Sequence, residues 1–392
     1  MRIFIIIFYF LFHFPVFSQG IWSQVTDFGG SARFRSVCFS IGNFGYCGTG
    51  YSSTGAMNDF WEYNPVSDLW VPKNGVGGFQ RYWAVGFSIG AKGYIGLGYN
   101  SSFPGYQDFW EYSPTSNSWL ARANYPGSGR VGAVGFSVNG KGYICTGWDG
   151  TNYFRDVWEY DPIGNNWSQK SNFPGASRNW AVAFTNGGKA YLGTGNDSLN
   201  NALKDFWEYD PLTDSWTQLP DFGGLPRFGA VGFSVNGKSY IGTGYNAGNY
   251  FNDFWEYDTL FNSWTPITNF GGGSIYNGSG FSIGDTAYAG LGYNGLNYTN
   301  DFNRLDGLTD VGFSDLSKSN LFVFPNPSKE KIFLNGITNS GDFEIYDLVG
   351  QLIMSGIILP EQGIEIGFLS EGIYFFYFKN QFQKIKCKIV LE

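Results

Sequence analysis

A chain of 392 residues with 57 Gly, 39 Phe, 26 Tyr and 14 Trp, of which only 14% is charged, describes many short buried strands joined by tight turns. Helical bundles are not built from this composition. The formal charge of −8 leaves no basic stripe, which argues against nucleic-acid binding and against an anionic membrane surface.

The first residues are Arg2, an apolar run over 3–14, and Val16-Phe17-Ser18 ahead of Gln19. Charged start, hydrophobic segment and small-residue cleavage site are the marks of a signal peptide, here expected over 1–18. His13 and Pro15 interrupt a run already shorter than the roughly 20 residues of a spanning helix, so no transmembrane segment is expected in the mature chain. His13 is the only histidine and leaves with the leader. Ser-His-Asp and Cys-His catalysis and the usual catalytic zinc or copper sites then lack their imidazole. No catalytic residue, metal site or cofactor is assigned, and a non-enzymatic role is favoured.

Downstream, Asp-Phe-Trp-Glu-Tyr begins at Asp59, Asp108, Asp205 and Asp253, with Asp-Val-Trp-Glu-Tyr at Asp156 and a worn copy at Asp301, in steps of 49, 48, 49, 48 and 48 residues. A period of that size built from short strands marks a propeller or a solenoid. In the third unit, a strand over 132–138 meets the hairpin turn Asn139-Gly140, returns over 141–147, continues as Asp156 to Tyr160, and turns at Asp161-Pro162 into a fourth strand at Trp167. Four antiparallel strands make one propeller blade.

The tracts Gly48-Thr49-Gly50, Gly96-Leu97-Gly98, Gly193-Thr194-Gly195, Gly242-Thr243-Gly244 and Gly290-Leu291-Gly292 precede a Tyr and then a Trp, as in Tyr63 with Trp70 and Tyr160 with Trp167. This pattern resembles the Gly-x-Gly variant of the kelch repeat, as in the central domain of galactose oxidase. Large rings facing glycine-thin strands would let neighbouring sheets approach closely.

Tryptophans recur at the fourth-strand position as Trp22, Trp70, Trp119, Trp167, Trp216 and Trp264, yet the sixth unit lacks its own. The expected fold is therefore all-β: a six-bladed kelch propeller over 19–312, closed by the N-terminal strand Trp22-Ser23-Gln24-Val25. A linker over 313–319 leads to a composition rich in Ile, Leu, Phe and Lys. The tracts Phe324-Pro325-Asn326-Pro327, Glu344 to Gln351, Leu369 to Phe375 and Lys386 to Val390 predict a small β-sandwich over 320–392. They resemble the C-terminal sorting domain of type IX secretion, which implies that machinery as a partner and delivery to the outer-membrane surface or the extracellular space.

Arg33, Arg81, Arg130, Arg178 and Arg227 open five first strands, with Ile275 in the sixth place, and are expected to ring one mouth of the central channel. Tyr51, Tyr99, Trp148, Tyr245 and Tyr293 lead loops expected on the same face, a setting suited to sugars or carboxylates. Trp83 and Trp180 differ between units, as do Phe103, Tyr106, Tyr153, Phe154, Tyr250 and Phe251, and such residues suit a ligand that does not share the ring's symmetry. The five repeated glutamates, from Glu62 to Glu256, are read as structural acceptors between blades.

Counting from the turn Gly42-Asn43 sets Cys38 opposite Cys47 in a non-hydrogen-bonded pair, where a cross-strand disulfide can form in an exported protein. Cys145, in a glycine slot, is expected to stay free. The expected function is a secreted or surface-held binding module that takes a glycan or protein ligand at the channel mouth. The kelch resemblance also admits a sugar-acting enzyme of the sialic-acid mutarotase type, and aromatic repeats admit a structural matrix or adhesion protein.

Overall fold

The computed structural model describes residues 20–101, 104–259, 261–306, 322–347, 351–380 and 384–391. The expected leader over 1–18, the linker over 313–319 and Phe103 lie outside them.

Alternating large and small residues with tight two-residue turns give short strands, mostly of five residues, and over the described residues up to Asp306 these assemble into six four-stranded antiparallel sheets. Blade one runs outward as Val37–Ile41, Phe44–Gly48, Phe60–Asn64 and Leu69–Lys73. Blades two to five repeat that order, starting at Val85–Ile89, Val134–Val138, Val182–Asn186 and Val231–Val235. Blade six has three consecutive strands, Ser279–Ile283, Thr286–Gly290 and Phe302–Asp306. Its outer strand is Ile21–Val25, which pairs antiparallel with Phe302–Asp306 and sets Trp22 opposite Leu305. The six innermost strands touch in cyclic order, blade six against blade one included, and enclose a central channel.

Packing between blades follows from missing Cβ atoms. A Cβ on Gly86 would lie 2.1 Å from Val37 Cγ1 of the preceding blade, and one on Gly93 would lie 2.6 Å from the Phe39 ring. Each fourth-strand Trp then fills the seam behind it: Trp119 on Phe60 at 5.0 Å, Trp167 on Phe109 at 5.0 Å, Trp264 on Phe206 at 4.9 Å. Trp22 does the same from the front of the chain, with its ring 5.0 Å from Phe254 and 4.9 Å from Phe270. Side-chain burial at these seams is the main cohesive term of the ring.

The repeated glutamates act within blades. Glu62, Glu111, Glu159, Glu208 and Glu256 each accept the hydroxyl of a second-strand tyrosine directly opposite, from Tyr46 to Tyr240. A cation of the same sheet completes each one, such as Lys73 on Glu62 at 2.8 Å. The expectation of a contact between blades fails because directly opposed side chains on neighbouring strands lie about 5 Å apart, close enough for a short acidic side chain.

Cys38 and Cys47 face one another in the first hairpin, with Cα atoms 4.2 Å apart, and are joined by a disulfide. Cys145 is a free, buried thiol whose pKa burial pushes well up, which leaves it unreactive.

The C-terminal unit is two antiparallel sheets. One contains Phe322–Phe324, Lys331–Asn335 and Gly363–Glu365, and the other contains Leu352–Ile358, Gly341–Tyr346, Gly372–Lys379 and Lys384–Leu391. Ile332, Leu334 and Ile364 of the first sheet pack with Phe343, Ile345, Phe376 and Phe378 of the second into one apolar core.

Candidate ligand site at the channel mouth

Five arginines expected at the channel rim are instead sealed inside the blades. Arg33, Arg81, Arg130, Arg178 and Arg227 are each 0% exposed. Their guanidinium forks close on Asp59, Asp108, Asp156, Asp205 and Asp253, the aspartates that open the repeated motif. In blade four, Arg178 Nη1 and Nη2 donate to the two Asp205 oxygens at 2.6 and 2.7 Å. Nη1 also donates to the Thr194 carbonyl and Nε to that of Ala176, so these donors are consumed internally. The motif Trp two residues on donates Nε1 to the same carboxylate, as Trp207 does to Asp205 at 2.8 Å. Burial alone would raise the Asp253 carboxyl, but hydrogen bonds and charge from Arg227 hold it below its ordinary value. Phe154 and Phe251 lie over Arg130 and Arg227 at 3.8 and 4.2 Å, and Tyr106 lies over Arg81 at 5.0 Å. These half-buried rings cover the ion pairs, and the arginines beneath them are not accessible to a ligand.

Two residues beyond each of these five arginines, and beyond Ile275 in blade six, the chain turns into its first strand through a left-handed residue. Arg35, Trp83, Gly132, Trp180, Gly229 and Asn277 occupy this place with φ between 51° and 62°. Backbone N–H groups link the positions around the mouth: Arg35 to the Asn277 carbonyl, Trp83 to Arg35, Trp180 to Gly132, Gly229 to Trp180 and Asn277 to Gly229. These five links make a backbone collar around the entrance, interrupted between Trp83 and Gly132. Beneath it lies a cavity of about 180 Å³ lined by small residues such as Ser36, Ala84, Ala133, Ala181, Ala230 and Gly278.

The side chains on the collar are where the blades differ. Trp180 lies over Gly132, whose absent Cβ would meet its ring at 2.7 Å, and reaches Trp83 with ring centroids 5.3 Å apart. Tyr99 stacks on Trp83 at 6.1 Å. Tyr51 lies 4.9 Å from Tyr82, which touches Trp83 at 5.2 Å. On the other flank, Tyr245 and Tyr293 both pack on Tyr276, at 5.5 and 6.1 Å, and Tyr250 joins them at 5.8 Å. Trp148 lies in blade three with its ring 5.9 Å from Tyr153. The fold therefore gathers Tyr51, Tyr99, Tyr245, Tyr293, Trp83 and Trp180 along one aromatic tract.

Arg35 joins the two flanks, and the repeat pattern had not marked it. Its guanidinium carbon lies 3.6 Å above the Trp83 ring and 4.0 Å above Phe34. Desolvation lowers its pKa, with the charge and hydrogen bond of Tyr276 opposing the shift. Several polar atoms here are buried without a partner in the protein: Arg35 Nε, Ser36 Oγ, Trp83 Nε1, Trp180 Nε1, Asn277 Nδ2 and both side-chain atoms of Asn179. Other unpartnered atoms are scattered through the blades, such as Trp22 Nε1, Tyr125 Oη and Trp264 Nε1, but the mouth holds seven of them side by side with the aromatic rings, which makes it the candidate site. A signal for Arg35 does exist in the sequence. Among six equivalent positions it alone carries a charge, the kind of departure from symmetry that singled out Trp83 and Trp180.

The Kelch motif family model matches residues 129–174, 193–223 and 226–271, and the model of the secretion system C-terminal sorting domain matches residues 322–392. No curated protein sequence matches the chain. Among solved structures, one titled "Structure of YjhT" superposes with a TM-score of 0.61 at 15% identity, covering 71% of this chain and 95% of that one. At that identity the likeness is one of fold. Repeats, blades and tail together identify the chain as a kelch-motif β-propeller that carries a secretion-system C-terminal sorting domain.

Proposed function

We propose that this exported kelch propeller is a non-enzymatic binding module that takes a glycan at the collared mouth of its channel. The sorting domain directs the chain through type IX secretion to the cell surface or the extracellular space. The propeller is then the part that meets external ligands. The observation that carries the reading is the cluster of unpartnered buried N and O atoms at Arg35, Trp83, Asn179, Trp180 and Asn277, walled by Tyr and Trp rings. Sugar rings present hydroxyls that satisfy such groups and C–H faces that pack on aromatics, and concave sites of this composition bind small molecules.

The test is a glycan-array screen of the full chain followed by titration of the saccharides it retains. Trp180→Gly is the informative variant, because blades three and five carry glycine at the same collar position with a similar φ. Binding should fall at least about tenfold, in the range of losing one aromatic anchor, while the melting temperature stays within a few degrees. Absence of saccharide binding by the unaltered protein, or equal binding by the variant, would overturn the proposal.

A further inference from the structure

Arg35 differs from every other arginine inside this propeller. Among the described residues, the other buried or half-buried arginines each hold a carboxylate: Arg33, Arg81, Arg122, Arg130, Arg178 and Arg227. Arg35 has none within ion-pair distance, and the groups that favour its charged form are the hydroxyls of Tyr276, Tyr82 and Tyr99. A guanidinium remains protonated under these conditions, so a largely desolvated positive charge sits in the mouth without a counter-charge. Such a charge is costly to a fold and is tolerated where something outside the chain neutralises it.

Geometry narrows what that something is. Trp83 and Phe34 pack against the guanidinium at 3.6 and 4.0 Å, so only its edge is left to make in-plane hydrogen bonds, and the Tyr276 hydroxyl takes part of that edge. Nε on that edge has no protein partner. An edge of parallel N–H groups is complementary to a planar carboxylate that accepts two hydrogen bonds. Asn179 and Asn277, both buried, hold further amide groups without a protein partner at the same mouth, which suit hydroxyls of a ligand that displaces the rings over them.

We propose that the glycan bound at the mouth is acidic and that Arg35 receives its carboxylate edge-on. This inference rests on the mouth being a glycan site and adds the charge of the ligand and the residue that reads it. The experiment is calorimetric titration of the full chain with glucuronate, its methyl ester and glucose, repeated with Arg35→Gln and Arg35→Gly. The unaltered protein should bind glucuronate at least about tenfold more tightly than the ester or glucose. Both variants should lose that preference while melting no lower than the parent, since they remove an uncompensated charge and, with Gly, relieve a left-handed backbone position. Equal affinity for acid and ester would overturn the inference and leave the glycan site standing. Variants that lose stability but keep the preference for acid would also overturn it, by making Arg35 a packing residue. Failure of all three probes against the unaltered protein would count against both proposals.

Discussion

Two arginines only two residues apart have opposite roles. Arg33 is closed on Asp59 and two carbonyls, whereas Arg35 lies between rings without a carboxylate. The contrast predicts that the repeated arginines matter for stability and the singular one for binding. Arg81→Ala should destabilise the protein by about 3 kcal/mol in chemical denaturation, because it leaves Asp108 half-buried with Trp110 Nε1 as a remaining donor. A loss under about 1 kcal/mol would mean that the pair is no stronger than a surface ion pair. The repetition of these arginines was legible in the sequence, but their partner was not. An Arg and an Asp 26 or 27 residues apart meet only once the loop before the first strand folds back against the third. Glutamate, the other repeated acid, is taken by the tyrosine directly opposite on the adjacent strand, a register set across the long loop between the second and third strands.

At the scale of one element, blade six is a natural experiment on the Arg–Asp pair. Ile275 stands where the arginine would be and Asn303 where the motif Trp would be, yet Asp301 is retained. Burial raises the Asp301 carboxyl above its ordinary value of 3.8, and Asp27 adds to the shift against hydrogen bonds from Thr299 and Asn303. A carboxyl raised in the folded state contributes its stability fully below the unfolded value and loses it as pH climbs through the folded value. Asp301→Asn should therefore melt close to the parent at pH 3.8 and above it at pH 7, with the gap opening between the two. A gap that does not change with pH would show that Asp301 ionises freely. The hairpin of blade one shows what local register can reveal from sequence: a two-residue turn sets Cys38 across from Cys47, and the structure joins them. No such rule reaches Asp301, whose surroundings come from a strand at the far end of the chain.

For the whole molecule, counting tryptophans read the architecture well, because one large ring per seam is a packing requirement that repeats with the sheet. The same regularity obscured the proposed ligand site, since a repeat pattern draws attention to residues that hold the ring together. The mouth was legible where symmetry breaks, at Trp83 and Trp180, and was missed at Arg35, which stands in the shadow of Arg33. Everything about that mouth depends on six sheets closing through Ile21–Val25 on Phe302–Asp306, and hydrogen exchange of the intact protein, read by mass spectrometry over those two segments, tests this directly. The account predicts that both segments are protected together, Ile21–Val25 to the degree of the outer strands of the other blades and Phe302–Asp306 to that of their third strands. Exchange of either segment at the rate of an open loop, with the remaining blades protected, would contradict it.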